Sequence, residues 1–220
     1  MCRGGCAICV YRRSNEHARF CYYVHRLATK IQQRAGIRSE KRPADDLLSM
    51  HEIWKEAVWQ QFGAAIDMLA NAIRECPDDV WGDQTAEPQY WALAFHTLFW
   101  LDLYLGGTSE GYHPPEPFGL EEMDPAGVLP PRVYTREELM TFLLACRSRC
   151  KAIIEEMDGE SAKRLCHFGK RVQPFGELLI YNMRHVQHHA AQLNLLLRQR
   201  TNSAPLWVGR ALAEPRGLED

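Results

Sequence analysis

Apolar side chains between residues 50 and 75 fall at Ile53, Trp54, Ala57, Val58, Phe62, Ala65, Ile66, Leu69 and Ile73, in steps of three and four. That spacing puts them on one face of a helix. Ser49 and Glu52 stand ahead of them with the SxxE spacing of a capping box, and Pro77 ends the run, so a first helix is expected over roughly 50–75. A second is expected over roughly 87–105, with Pro88 in its first turn and Gly106-Gly107 stopping it. Nearly every position from Tyr90 to Leu105 is apolar or aromatic, a composition that requires cover on most sides. A third helix opens at the capping box Thr135 to Glu138 and runs to about Met157, and a fourth runs from Pro174 to about Arg200.

The connections order these helices. Short links force antiparallel neighbours, whereas a long one permits a crossover between parallel helices. Residues 106–134 carry six prolines and five glycines, which predicts an irregular segment lying across one end of the helices through Tyr112, Phe118 and Leu120. The expected fold class is therefore all-α, a four-helix bundle of up-down-down-up order with its long crossover between the second and third helices.

Charge divides the chain. Residues 1–45 hold ten Lys/Arg against three Asp/Glu, and residues 46–220 hold 16 against 25, so a basic leader precedes an acidic body. The leader has no strong pattern beyond a weak helix around 15–34. A core that begins at a methionine leaves three readings for the leader: a stretch upstream of a true start at Met50, a mitochondrial-type presequence, or an extension of the protein. The expected division is a leader over 1–45, the helical body over 46–211 and a tail over 212–220. No apolar run is long enough to span a membrane and no signal-peptide pattern appears, which points to a soluble, cytoplasmic protein with no membrane partner. An acidic body without a basic stripe also argues against nucleic acid.

Cys2, Cys6 and Cys9 have the CxxxCxxC spacing of an iron–sulfur motif, but no alternation of strand and helix follows to house one. Cys146 and Cys150 lie four apart on the third helix and supply only half a soft-metal site, so they are read as reduced packing residues. A di-iron carboxylate centre would need ExxH pairs on facing helices, and none of the four predicted helices carries one.

The chemistry concentrates on the fourth helix, where Tyr181, His185, His189 and Gln192 share one stripe. Imidazoles on a buried stripe are costly unless each finds a partner, and two of them at i, i+4 direct nitrogens at one point. A shared metal ion satisfies both. A third ligand has to come from another helix, and His96, amid ALAFHTLFWLDLYL, is the histidine placed to supply it. His51, His113 and His167 fall at a helix start or in loops and are expected to be exposed. Tyr181 is read first as a helix-interface residue and second as a donor to substrate.

A histidine in an aromatic second helix, a long second connection, HxxHHxxQ on the fourth helix and the ending Pro205-Leu206-Trp207-Val208-Gly209-Arg210-Ala211 resemble the DinB-like family over about residues 50–211. The resemblance implies a bundle with a three-histidine site for a divalent transition metal, zinc, nickel, iron or manganese. That site maps onto His96, His185 and His189, with His188 an outward neighbour. Where the family often reads HHRGQ, this chain reads His188-His189-Ala190-Ala191-Gln192, without the arginine and the glycine. Because the broader superfamily includes metal-dependent thiol transferases, the resemblance implies a transferase or hydrolase acting on a small molecule, with a low-molecular-weight thiol as a partner. A non-catalytic, dimerising, stress-related bundle is the alternative. Exposed aromatics beside the crossover favour a homodimer.

Overall fold

A computed structural model describes residues 44–215 and 217–218, with side chains from Met50 onward. The chain divides into a unit of residues 1–47 and one of residues 48–220, and the second carries the features that follow. The CxxxCxxC cysteines and the weak helix around 15–34 lie outside the described residues.

The described chain is mostly helical. Its long helices are α1 (Ala44–Glu75), α3 (Tyr90–Gly106), α4 (Arg136–Glu156) and α6 (Phe175–Thr201). Two short ones join them, α2 (Asp78–Trp81) and α5 (Gly159–Lys163), together with a single 3-10 turn at Glu121–Met123. An antiparallel hairpin, β1 (Leu165–Phe168) and β2 (Arg171–Pro174), leads into α6, so the all-α expectation holds apart from eight residues of sheet. The turn of that hairpin rests on Gly169, whose φ of 60° is open to glycine at little cost.

Local chemistry explains the ends. At α4, Thr135 accepts from the Glu138 amide while the Glu138 carboxylate accepts from the Thr135 amide, so both halves of the expected box form. Helix α3 ends where Gly107 turns into the left-handed region at φ 78°. Two boundaries differ from the sequence reading. Helix α1 begins at Ala44, so Ser49 and Glu52 lie inside it and Ser49 is not a cap. An SxxE spacing also occurs by chance within helices, and here the helix runs through it from upstream. Helix α3 begins at Tyr90 after the cap Gln89, which leaves Pro88 outside its first turn.

The core is aromatic at its centre. Phe118, from the crossover, stacks on Phe95 of α3 at 5.6 Å and on Phe142 of α4 at 4.9 Å between ring centroids, and Tyr134 closes edge-on at 4.8 Å. Tyr112 packs edge-on against Phe99 at 5.3 Å. Leu120, the third expected anchor of the crossover, is exposed, because the chain turns into the 3-10 segment there and points it to solvent. On α1 burial starts at Trp59, and Ile53 and Trp54, expected on the core face, are exposed.

Polar contacts pin the helices to one another. The Lys55 ammonium donates to the Glu155 carbonyl at 2.8 Å, the Tyr90 hydroxyl to the Ala72 carbonyl at 2.9 Å, and the Asn182 amide to the Leu101 carbonyl at 3.0 Å. Arg149 reaches the Asp102 carboxylate at 2.5 Å. Deepest is the pair Arg147–Asp67, joined by two bonds of 2.8 and 3.2 Å with side-chain exposures of 7% and 1%. It also holds the C-terminal strap, since Arg147 donates to the Leu212 carbonyl at 2.6 Å and Asp67 accepts from the Leu212 amide at 2.7 Å. Gly63 lets this strap approach α1, because a Cβ there would stand 2.5 Å from the Cβ of Ala211.

Withdrawing one member of such a pair strands the other charge away from water. Arg147→Ala is expected to lower stability by about 3–5 kcal/mol in urea unfolding. The double variant Asp67→Asn, Arg147→Met should recover part of that loss. A loss below about 1 kcal/mol for Arg147→Ala would show that the strap and helices hold without the pair.

Candidate metal centre

Helices α3 and α6 place His96, His185 and His189 ring against ring. The His185 and His189 centroids are 4.5 Å apart, His96 and His189 4.8 Å, and His96 and His185 5.4 Å. One ring nitrogen from each lies within 4.8 Å of the others. The two α6 histidines meet because residues four apart on a helix stand one above the other. His96 meets them because Asn182 and Leu101 fasten α3 to α6 one turn or so along.

Two rings are oriented from outside. Nδ1 of His189 donates to Oε1 of Gln192 at 2.6 Å, and Nδ1 of His96 donates to the Glu122 carboxylate at 2.6 Å. Both bonds engage Nδ1 and leave Nε2 as the ring nitrogen with a free lone pair. Glu122 is itself steadied by Trp100, whose indole N–H donates to the same oxygen at 3.1 Å. His185 differs: its Nδ1 is buried and finds no hydrogen-bond partner in the protein. Burial first, and then the neighbouring His189, His96 and His188, push its imidazole down to about 3. Burial likewise lowers His189, against the opposing bond from Gln192. Rings held neutral in this way keep the lone pairs that a metal ion needs.

The residues present fit a divalent ion. One nitrogen from each of three imidazoles lies within 4.8 Å of the others, one of these rings, His185, has a buried Nδ1 without a partner, and drawing that spread to the roughly 3.4 Å of neighbouring ligands on a tetrahedral ion takes less than about 1 Å at each atom.

Of the other histidines, His188 is exposed beside the cluster, its ring 5.0 Å from that of His189. His51, His113 and His167 are exposed as expected, although His167 lies on β1 and not in a loop. Tyr181 is half-buried between Tyr104, at 5.5 Å, and the Arg171 guanidinium, 4.4 Å over its ring. Its first reading as an interface residue therefore fits. Cys146 and Cys150 are buried thiols, pushed up by that burial, and neither lies in the cluster. Glu122 was missed by sequence reasoning. It sits in an aperiodic, proline-rich crossover, and only the packing of Phe118 between α3 and α4 brings it to His96.

A cavity of about 710 Å³ opens between α1, α6 and the strap. Among the three clustered histidines only His185 lines it.

The fold and site together define a mostly helical protein with a clustered-histidine centre built from two of its long helices. The sequence model of the DinB superfamily matches residues 61–193, more than half of the chain, and the chain belongs to that superfamily. Searches of curated proteins and of solved structures return no match. The family and the three-histidine group fit a metal-binding protein. Among the described residues, no helix is long and apolar enough to cross a membrane.

A ring kept neutral by folding makes stability depend on pH. The unfolded chain takes up a proton at the ordinary histidine value of 6.5, whereas folded His185 does so only near 3. Its contribution is therefore full above about pH 6.5 and is lost as the pH falls towards 3. In chelator-treated protein the urea midpoint should fall from pH 7 to pH 5, and His185→Gln should flatten that fall. Equal slopes for both proteins would show that His185 is not held neutral by the fold.

Proposed function

We propose that the protein is a metal-dependent transferase or hydrolase acting on a small molecule, with a low-molecular-weight thiol as the favoured partner. Its divalent transition metal is held by His96, His185 and His189. The observation that carries this reading is the meeting of three imidazole nitrogens within 4.8 Å, two of the rings being turned inward by Glu122 and Gln192. A divalent ion on neutral imidazoles keeps its full charge and lowers the pKa of a thiol or water that it binds, supplying a nucleophile at neutral pH. The chain's own share is to favour the neutral form of His185 and His189, to fix the tautomers of His96 and His189 and to keep the centre partly withdrawn from water.

The fold proposed with it is a four-helix bundle of up-down-down-up order. Contacts that pair rising numbers on α1 with falling numbers on α4, namely Lys55 with Glu155 and Asp67 with Arg147, support opposite senses for these two. Trp91 beside Tyr134 and Asp102 beside Arg149 support one sense for α3 and α4. Leu101 with Asn182 and His96 with His189 support opposite senses for α3 and α6. Residues 106–134 are then the crossover that two parallel helices require.

Metal content tests the site, measured by elemental mass spectrometry on protein without a histidine tag. Wild type is expected to carry about one transition-metal ion per chain. Ala at His96, His185 or His189 should nearly empty it, whereas His188→Ala should leave it filled. Glu122→Ala should weaken metal binding by about 10–100-fold, as the loss of a partner to a ligating histidine does elsewhere. An empty wild type that cannot be loaded removes the reading. Thiol consumption with a chlorodinitrobenzene electrophile then tests the catalytic half. A loaded protein that neither consumes thiol nor hydrolyses esters would leave a metal-binding protein without this activity.

A further inference from the structure

The cavity beside His185 has a chemical asymmetry that the metal centre does not use. One wall is apolar, from Ala64 and Ala65 of α1 and Trp207 and Val208 of the strap. The opposite edge is Arg184 of α6, with His185 and His188 next to it, and no Asp or Glu lines the space. Among the described residues, Arg184 has no carboxylate within 4.0 Å. Arg74, Arg132, Arg136, Arg147, Arg149, Arg200 and Arg210 each pair with an acid, whereas Arg164 and Arg198 are also without one but lie outside the cavity.

This occurs in a body that is strongly acidic, where residues 46–220 carry 25 acids against 16 bases. An unpaired cation at the edge of a cavity with low-dielectric walls focuses potential and draws anions to it. The volume, about 710 Å³, lies within the range of small-molecule sites, about 300–1,000 Å³. It is too small for a folded partner.

We propose that this cavity binds an amphiphilic organic anion, its apolar body against Ala64, Ala65, Trp207 and Val208 and its anionic group on Arg184. Resting on the metal reading, this names the substrate class of that centre, because His185 forms part of the cavity wall next to Arg184 and would set the ligand's anionic end towards the ion. The strap supplies half of the apolar wall, so the contacts of Leu212 with the Arg147–Asp67 pair position the binding surface as well as the chain end.

A pair of probes that differ by one charge tests this. Anilinonaphthalene sulfonate has an aromatic body and a sulfonate, and phenylnaphthylamine has the same body without it. Fluorescence titration of the full chain should show a single site for the sulfonate, with weaker binding of the neutral probe. Arg184→Gln should weaken the sulfonate about tenfold, the loss of roughly one charge-assisted hydrogen bond, and leave the neutral probe within about twofold. Ala191→Trp, at the exposed rim, should weaken both probes. Arg198→Gln, which removes an arginine outside the cavity, should change neither.

Equal binding of the two probes, no binding of either, or equal effects of Arg184→Gln and Arg198→Gln would overturn the proposal. Metal content measured on the same samples separates the two readings. Metal-free protein that still selects the sulfonate through Arg184 keeps the anion site and refutes the metal. Loaded protein that is indifferent to the sulfonate keeps the metal and refutes the anion site.

Discussion

Three imidazoles packed ring against ring cannot all carry a proton, and withdrawing them from water makes even one charge expensive. That constraint governs the centre of this protein. His185, the most enclosed of the three, is held neutral down to about 3 and its Nδ1 has no protein partner. Three imidazole nitrogens that converge within 4.8 Å, two of them on rings whose burial favours the neutral form, are groups that a single cation would satisfy together.

Much of the remaining architecture maintains that convergence. Asn182 fastens α6 to the Leu101 carbonyl and so sets the height at which His96 faces His185 and His189. The crossover contributes through Phe118, an aromatic wedge between Phe95 and Phe142 that places Glu122 against His96 and Trp100. On the far side the buried Arg147–Asp67 pair anchors the strap to α1, and that strap walls the cavity next to His185. A buried ion pair is weak evidence for stability as such, but here its spare hydrogen-bonding capacity fixes a segment that has no helix of its own.

The periodic parts of this organisation were legible in the sequence. Helices α4 and α6 announce themselves by caps and spacing, and the stripe Tyr181, His185, His189 and Gln192 follows from the helical repeat, as does the bond between His189 and Gln192. His96 stood out only jointly: a lone histidine in a nearly all-apolar helix is usually a satisfied core residue, and HxxHH on α6 is what singled it out as a neighbour for His185 and His189. What escaped was aperiodic. Glu122 sits between two prolines and two other acids, with nothing local to distinguish it from Glu121. The hairpin 165–174 is too short for alternation to show, and the start of α1 was misplaced because a capping-box pattern at Ser49 and Glu52 recurs inside a helix that begins at Ala44. Leu120 was read inward from apolarity and Trp54 from its helical spacing, but apolar residues also populate surfaces.

X-ray absorption at the edge of the bound metal tests the central claim most directly, because it reports the atoms that touch the ion and not the chain's overall affinity for metals. For zinc-loaded protein the account predicts three imidazole nitrogens at about 2.0–2.1 Å, oxygen or sulfur ligands in the remaining positions, and a spectrum unaltered by His188→Ala. Fewer than three imidazoles in the wild type, or loss of one on removing His188, would contradict it.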